Sequence, residues 1–109
     1  MSFQHISVSQ TAALLQDDDT AVVADIRDVK SFQSGHIPGS EHLSNENLGY
    51  FLNEKDYEQP IIVVCYHGIS SQTAANYLVS QGFEQVYSMD GGFTAWGQEQ
   101  ADNIASGTA

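Results

Sequence analysis

The stretch PIIVVCYHGISSQTAANYL, residues 60–78, indicates the fold class of this chain. Four β-branched residues, Ile61 to Val64, form an apolar run without the alternation of a half-exposed strand. Such a run predicts a central strand that is covered on both faces of a parallel sheet. The following segment predicts a helix that ends near Gly82, because small and apolar side chains recur on one helical face: Ser71, Ala74, Ala75, Leu78 and Val79.

The same alternation of strand and helix runs through the rest of the chain. Further strands are predicted at FQHISV (3–8), AVVADI (21–26), residues 41–43 and QVYSMD (85–90). Further helices are predicted at SQTAALLQ (9–16), RDVKSFQSG (27–35), NENLGYFLNEK (45–55) and GGFTAWGQEQ (91–100), with Ser9 and Ser44 as N-caps. This order predicts an α/β fold with a five-stranded, mainly parallel sheet flanked by helices on both faces.

The length of 109 residues suits one domain, which we expect to cover residues 1–109. Its ordered core is predicted to span about residues 3–100. The tail from Ala101 is small and polar, so we expect it to fray.

The chain is unusually acidic, with 14 acidic residues, 3 basic residues and a formal net charge of −11. Nucleic-acid binding requires a basic surface, so this class of partner is excluded. The apolar runs are too short to span a bilayer, so no membrane partner is expected. Because the N-terminus lacks the pattern of a secretory leader and one cysteine cannot form an intramolecular disulfide, the expected location is the cytoplasm.

The position of Cys65 marks a candidate site. Ligands of open α/β sheets bind beyond the carboxyl ends of the strands, and Cys65 follows the predicted central strand directly. Three interpretations are open: a small apolar core residue, a metal ligand or a nucleophile. A metal site with His5, His36, His42 and His67 lacks the paired spacing of zinc motifs, so no metal is expected.

The loop after Cys65 favours the nucleophile. The chain must turn there from strand to helix, so several backbone N–H groups lack partners and can converge on the sulfur. A helix that begins near Ser70 adds the positive end of its dipole, which lowers the pKa of a cysteine. We expect the binding loop to comprise Tyr66, His67, Gly68, Ile69, Ser70 and Ser71. For the two serine hydroxyls, donation to the sulfur and capping of the helix are both open.

Three segments in this order resemble the rhodanese family: VVADIRDVKSFQSGHIPGS (22–40), CYHGISS (65–71) and YSMDGGFTAW (87–96). The likeness is greatest to bacterial single-domain thiosulfate sulfurtransferases associated with glycerol phosphate genes. It implies a cofactor-free enzyme in which Cys65 attacks the sulfane sulfur of thiosulfate, releases sulfite and holds the sulfur as a persulfide. The resemblance further implies cyanide, or a dithiol such as thioredoxin, as the acceptor.

Other residues of these segments have supporting interpretations. Asp25 and Arg27 follow a predicted strand near the same sheet edge, and we interpret them as a structural ion pair near the site. A preformed thiolate needs no general base, so His67 is either a hydrogen-bond donor to the substrate or simply exposed. His36 is expected to be a turn residue that hydrogen-bonds to the backbone.

Rival functions use the same kind of loop. A phosphatase or arsenate reductase needs an Arg to clamp its oxyanion at the position that Ser71 occupies here. A binding module without activity would be expected to lack the cysteine, and a persulfide carrier would use the same residues. Because the loop and the following helix contain no Lys or Arg through Gly82, we predict weak capture of thiosulfate.

Overall fold

The predicted central strand, residues 61–64, lies in the middle of a five-stranded sheet. The computed structural model describes residues 2–107 and gives the strands as β1 (Gln4–Ile6), β2 (Val22–Asp25), β3 (Glu41–His42), β4 (Ile61–Val64) and β5 (Val86–Met89). Their spatial order is β1-β5-β4-β2-β3, and all four pairings are parallel. The predicted α/β class and the parallel sheet are confirmed.

Within residues 2–107, four helices connect the strands and a fifth follows β5, at the places that the sequence predicts. They are α1 (Val8–Asp17), α2 (Val29–Ser34), α3 (Leu48–Glu54), α4 (Ser70–Ser80) and α5 (Gly92–Glu99). Within residues 2–107 no helix is both long enough and apolar enough to cross a membrane.

The side chains of β4 explain its continuous apolar run. Ile61 and Val63 pack with Phe51 of α3 and with Ala75 and Leu78 of α4. Ile62 and Val64 pack on the opposite face with side chains of α1 and α5, among them Val8 and Trp96. Because alternate residues of a strand point to opposite faces, both sets must be apolar. The two clusters confirm that helices cover both faces of the sheet.

Two predicted helix caps are wrong. Helix α1 is capped by Ser7, whose side chain accepts from the backbone N–H of Gln10, while the Gln10 side chain accepts from the backbone N–H of Ser7. Ser9 lies inside the helix because this reciprocal capping box begins two residues earlier. Helix α3 has Asn47 at its N-cap position, and the backbone N–H of Ser44 donates to the Asn47 side chain instead.

The C-terminal tail lies against the rest of the molecule. The backbones of His36 and Ala105 exchange two hydrogen bonds of 2.9 Å, and the N–H of Gly107 donates to the carbonyl of Gln33 at 2.8 Å. The indole of Trp96 donates to the carbonyl of Asn103. Fraying from Ala101 stays a prediction, and these contacts weigh against it up to Gly107; residues 108–109 lie outside the described part.

The start of α5 supports the loop that follows β4. The N–H of Phe93 donates to the carbonyl of Cys65 at 2.8 Å, and the N–H of Thr94 donates to the carbonyl of Tyr66 at 3.1 Å. This close approach requires Gly92, where φ is +60° and a Cβ atom would lie 2.4 Å from the Tyr66 carbonyl. The glycine therefore allows the start of α5 to approach the loop closely enough to form these hydrogen bonds.

Replacing Gly92 by Ala is expected to lower the free energy of unfolding by about 2 kcal/mol, because it adds a backbone clash and a strained φ. Gly97, in the same helix with open space around it, is the matched control. Gly97→Ala is expected to raise stability by about 0.5 kcal/mol. Urea unfolding of both variants measures the difference, and equal stabilities would contradict the role given to Gly92.

Candidate active site

Cys65 lies directly beyond β4, at the carboxyl edge of the sheet. In the parallel register Asp25 of β2 pairs with Val64, and Ser88 of β5 pairs with Val63. The carboxyl ends of these three neighbouring strands therefore meet around Cys65. The cysteine is free and buried, with 5% of its surface exposed.

Hydrogen-bond donors surround the Cys65 sulfur. The backbone N–H groups of Gly68 and Ser71 donate to Sγ at 3.1 Å and 3.3 Å, and the Ser71 hydroxyl lies 3.3 Å from Sγ. Burial by itself raises the pKa of the thiol. The Ser71 hydroxyl and the backbone N–H groups of Ser71, Gly68 and His67 outweigh it, so the pKa of Cys65 is lower than usual. The sulfur thus lies in a site that favours its anion.

The backbone of the loop is tightly folded at Gly68. Its φ is +83°, and a Cβ atom there would lie 2.8 Å from the backbone nitrogen of Gly91 and 3.0 Å from the carbonyl oxygen of Met89. A side chain at this position would push the loop away from the β5–α5 turn. By contrast, Tyr66, His67, Ile69 and Ser70 are exposed at the mouth of the site.

The Ser71 hydroxyl lies against the Cys65 sulfur and does not cap α4. The N-cap position of α4 is Ile69, and no side chain caps this helix. The Ser71 hydroxyl instead contacts Cys65 Sγ and, at 2.7 Å, the hydroxyl of Ser88. No hydrogen bond to Cys65 is recorded for the Ser70 hydroxyl, and Ser70 is exposed.

Asp25 and Arg27 form a buried ion pair beside the loop. Arg27 Nη2 donates to Asp25 Oδ2 at 2.7 Å and to the carbonyl of Gly35 at 2.6 Å, while Nε and the backbone N–H of Arg27 donate to Asp25 Oδ1 at 3.0 Å each. The guanidinium carbon lies 4.1 Å from the ring centroid of Phe93 and 5.6 Å from that of Tyr66. This geometry supports the interpretation as a structural pair, which joins the end of β2 to both the loop and α5.

A second polar contact holds the loop from the side of α2. The Tyr66 hydroxyl donates to Asp28 Oδ1 at 2.5 Å, and the hydroxyls of Tyr66 and Ser31 also hydrogen-bond to each other. Asp28 is the N-cap of α2 and accepts from the Ser31 backbone. The hydrogen bond from Tyr66, followed by those from Ser31, lowers the pKa of Asp28 to about 2. The carboxylate is therefore ionised at neutral pH and able to hold Tyr66.

Three of the histidines contact different partners and do not form a common site. The His36 ring is buried, stacks on Phe32 with 4.0 Å between centroids, and contacts the Phe32 carbonyl through Nδ1. His42 contacts the Arg27 carbonyl, and His5 pairs with Asp90. Among residues 2–107 no group of three or more His, Cys, Asp or Glu side chains is placed to hold a metal ion.

Comparison with known proteins identifies the family. A family model described as a rhodanese-like domain matches residues 7–99. This chain belongs to the rhodanese family. Among curated relatives, two proteins named thiosulfate sulfurtransferase GlpE are similar: that of Pseudoalteromonas translucida is 62% identical over 95% of this chain and 98% of its own. That of Shewanella oneidensis is 52% identical over 92% of this chain and 98% of its own. The predicted family and the predicted class of enzyme, a sulfurtransferase, are confirmed.

Solved structures confirm the rhodanese fold. A rhodanese-like domain protein from Staphylococcus aureus is 21% identical, covers 95% of this chain and 98% of its own, and superposes with a TM-score of 0.80. The Alr3790 protein from Anabaena superposes with the same TM-score at 24% identity, covering 94% of this chain and 80% of its own. At these identities the likeness concerns the fold alone.

Two contacts of this rhodanese site were not predicted from the sequence. Ser88 carries a polar side chain into an otherwise apolar strand and is fully buried next to Ser71. The serine within the predicted strand at residues 85–90 was the available signal, because a hydroxyl buried in a sheet requires a hydrogen-bond partner. Nothing in the sequence predicts the hydrogen bond between Tyr66 and Asp28, because both residue types are common at protein surfaces.

Replacing Arg27 by Ala is expected to destabilise the protein by about 3–5 kcal/mol, because Asp25 would remain buried without its partner. The pair of Lys55 with the exposed Glu41 provides the control, and Glu41→Gln is expected to cost less than about 1 kcal/mol, because Lys55 keeps its contact with Glu54. Chemical denaturation gives both values. A loss for Arg27→Ala no larger than that for the control would show that the buried pair is not structural.

Proposed function

We propose that this chain is a thiosulfate sulfurtransferase that works through a persulfide on Cys65. The observation that carries the proposal is the convergence of backbone N–H groups and the Ser71 hydroxyl on a buried sulfur at the sheet edge. The names of the two curated relatives support thiosulfate as the donor. A lowered thiol pKa supports Cys65 as the nucleophile.

The reaction is a double displacement. The Cys65 thiolate attacks the sulfane sulfur of thiosulfate, a new sulfur–sulfur bond forms, and sulfite leaves with the electron pair of the broken bond. An acceptor then attacks the outer sulfur of the persulfide and regenerates the thiolate. Cyanide becomes thiocyanate in this step. A dithiol, such as that of thioredoxin, takes the sulfur as a persulfide and then closes its own disulfide, releasing hydrosulfide.

The loop stabilises the charged species along this path. Backbone donors that surround the thiolate are equally suited to a persulfide anion, which requires the same kind of cradle. Gly68 and Ser71 provide the N–H groups closest to the sulfur. His67 is exposed at the mouth, where a ring N–H is able to donate to the sulfonate of the incoming donor. With the thiolate preformed, neither step requires a cofactor, a metal ion or a general base.

The acidic surface argues against nucleic acid and membranes as partners, and the sulfur donor and acceptor of the proposed reaction are small molecules or protein thiols. The cytoplasm, a reducing compartment, suits an enzyme whose lone cysteine must stay reduced between turnovers. A persulfide carrier in a sulfur relay would use the same residues with a protein donor.

Phosphoryl transfer is not favoured, because the position that would hold an anion-clamping Arg is Ser71. Its hydroxyl is within contact distance of the sulfur itself.

Incubation with thiosulfate is expected to add one sulfur, about 32 Da, to the intact protein, since the covalent intermediate retains it. Cyanide should remove the added mass and release thiocyanate. Cys65→Ser is the matched control and should gain nothing. Wild-type protein without an adduct, or hydrolysis of an aryl phosphate in place of sulfur transfer, would refute the proposal.

Electrostatics should limit capture of the donor. Of the three basic side chains, Arg27 is paired with Asp25, and Lys55 is paired with Glu41 and Glu54. Lys30 has no ion-pair partner among residues 2–107. It lines a depression of about 400 Å³ next to Tyr66 of the loop. Lys30 is therefore the cation best placed to offset the net charge of −11 near the site.

Lys30→Gln is expected to raise the KM for thiosulfate by about two- to threefold with little change in kcat, because an exposed charge contributes less than about 1 kcal/mol. The KM of both proteins should rise as ionic strength falls, since screening weakens. Lys55→Gln, which removes an already paired charge, is the control. Initial rates at several salt concentrations test this, and a submillimolar KM that ignores salt would disprove it.

A further inference from the structure

Ser88 and Ser71 form a buried pair of hydroxyls that leads to the nucleophile. Both side chains are fully buried, their Oγ atoms lie 2.7 Å apart, and Ser71 Oγ lies 3.3 Å from Cys65 Sγ. Ser88 belongs to β5 and pairs with Val63, two residues before Cys65 on the adjacent strand. Because a serine side chain is short, the position of its hydroxyl is determined mainly by the backbone of β5 in the sheet.

The number of protons on the three groups determines which group donates in each of these two hydrogen bonds. A serine hydroxyl carries one proton, and a thiolate carries none. With Cys65 ionised, Ser71 must donate to the sulfur, so only Ser88 is able to donate in the contact between the hydroxyls. With Cys65 protonated, three protons share the same two contacts. One of them then has no hydrogen-bond acceptor among residues 2–107, which is unfavourable in a buried site.

We propose that Ser88 is a positioning residue for the nucleophile, whose hydroxyl donates to Ser71 and thereby directs the Ser71 proton to the Cys65 sulfur. When Ser88 donates to Ser71 Oγ it does not accept the Ser71 proton, so Cys65 Sγ is the acceptor that remains among the two contacts of the Ser71 hydroxyl. Donation from Ser88 also polarises Ser71, which strengthens its hydrogen bond to an anion. The role rests on the proposed function of Cys65 as a reactive thiolate, but it concerns ionisation of the sulfur rather than sulfur transfer.

The ionisable side chains at this edge make no hydrogen bond to the Cys65 sulfur among residues 2–107. Strand β4 has no ionisable side chain, and α4 has only Tyr77. No hydrogen bond from an ionisable side chain to Sγ is recorded among residues 2–107. At the carboxyl ends of β2, β3 and β5, Asp25 pairs with Arg27, His42 contacts the Arg27 carbonyl and Asp90 pairs with His5. In the loop, Tyr66 donates to Asp28, and His67 is exposed. Among residues 2–107, the side-chain hydrogen bonds that reach this thiol therefore run through the hydroxyls of Ser71 and Ser88.

The test is the pH profile of alkylation of Cys65 by iodoacetamide, followed by intact mass. The thiolate displaces iodide and forms a sulfur–carbon bond, and Cys65 is the sole cysteine, so the rate reports its ionisation. Ser88→Ala is expected to shift the profile to higher pH and slow alkylation about two- to tenfold below the thiol pKa, the value of one neutral hydrogen bond. The rate above the pKa should match wild type.

Three further variants separate positioning from general loosening of the site. Ser71→Ala should shift the profile in the same direction, and adding Ser88→Ala to it should cause no further shift, because Ser88 acts through Ser71. Ser40→Ala, at a buried serine whose hydroxyl has no recorded partner, should leave the profile unchanged. A Ser88→Ala profile that matches wild type, or an undiminished shift in the Ser71→Ala background, would overturn the proposal. Since alkylation requires no sulfur donor, these outcomes hold even if the thiosulfate reaction fails.

Discussion

Burial of β4 on both faces is the constraint on which the rest of the structure depends. The residues of this strand are inaccessible to solvent, so its place in the middle of the sheet is determined by apolar packing on two sides. The strand ends where the chain must leave the sheet, and Cys65 is the residue at that point. The location of the sulfur therefore follows from packing, while its chemistry follows from the loop beyond.

The protein combines a strongly negative net charge with a site that favours an anion. These properties are compatible because they act over different distances. The donors around Cys65 lie about one hydrogen-bond length from the sulfur, in a buried environment where dipoles act strongly. The carboxylates are mostly exposed and act through solvent, where salt screens them. The local donors therefore control ionisation of the thiol, whereas the net charge controls how readily an anionic donor arrives.

The loop is held from three sides, and each contact uses a different kind of interaction. Helix α5 donates backbone hydrogen bonds to the carbonyls of Cys65 and Tyr66. Asp28 accepts from the Tyr66 hydroxyl, and Arg27 lies near the ring of Tyr66. A loop so constrained would keep its N–H groups directed at the sulfur through both steps of the proposed double displacement, with little reorganisation between them. Gly92 permits the contact with α5, and the ion pair of Arg27 with Asp25 holds the end of β2 beside the loop.

The order of the elements, the central strand, the position of Cys65 and the family can all be predicted from the amino-acid sequence. Each depends on local pattern: apolar runs, helical spacing and residues close to one another in the chain. The caps of α1 and α3 were misassigned because neighbouring polar residues compete for the same role. In contrast, the identity of the hydroxyl that contacts the sulfur, and of the second hydroxyl bonded to it, follows from tertiary packing. Ser71, Ser88 and Gly92 are separated from Cys65 by 6 to 27 positions, and contacts across such separations depend on how β4, β5 and α5 pack, which no local pattern encodes.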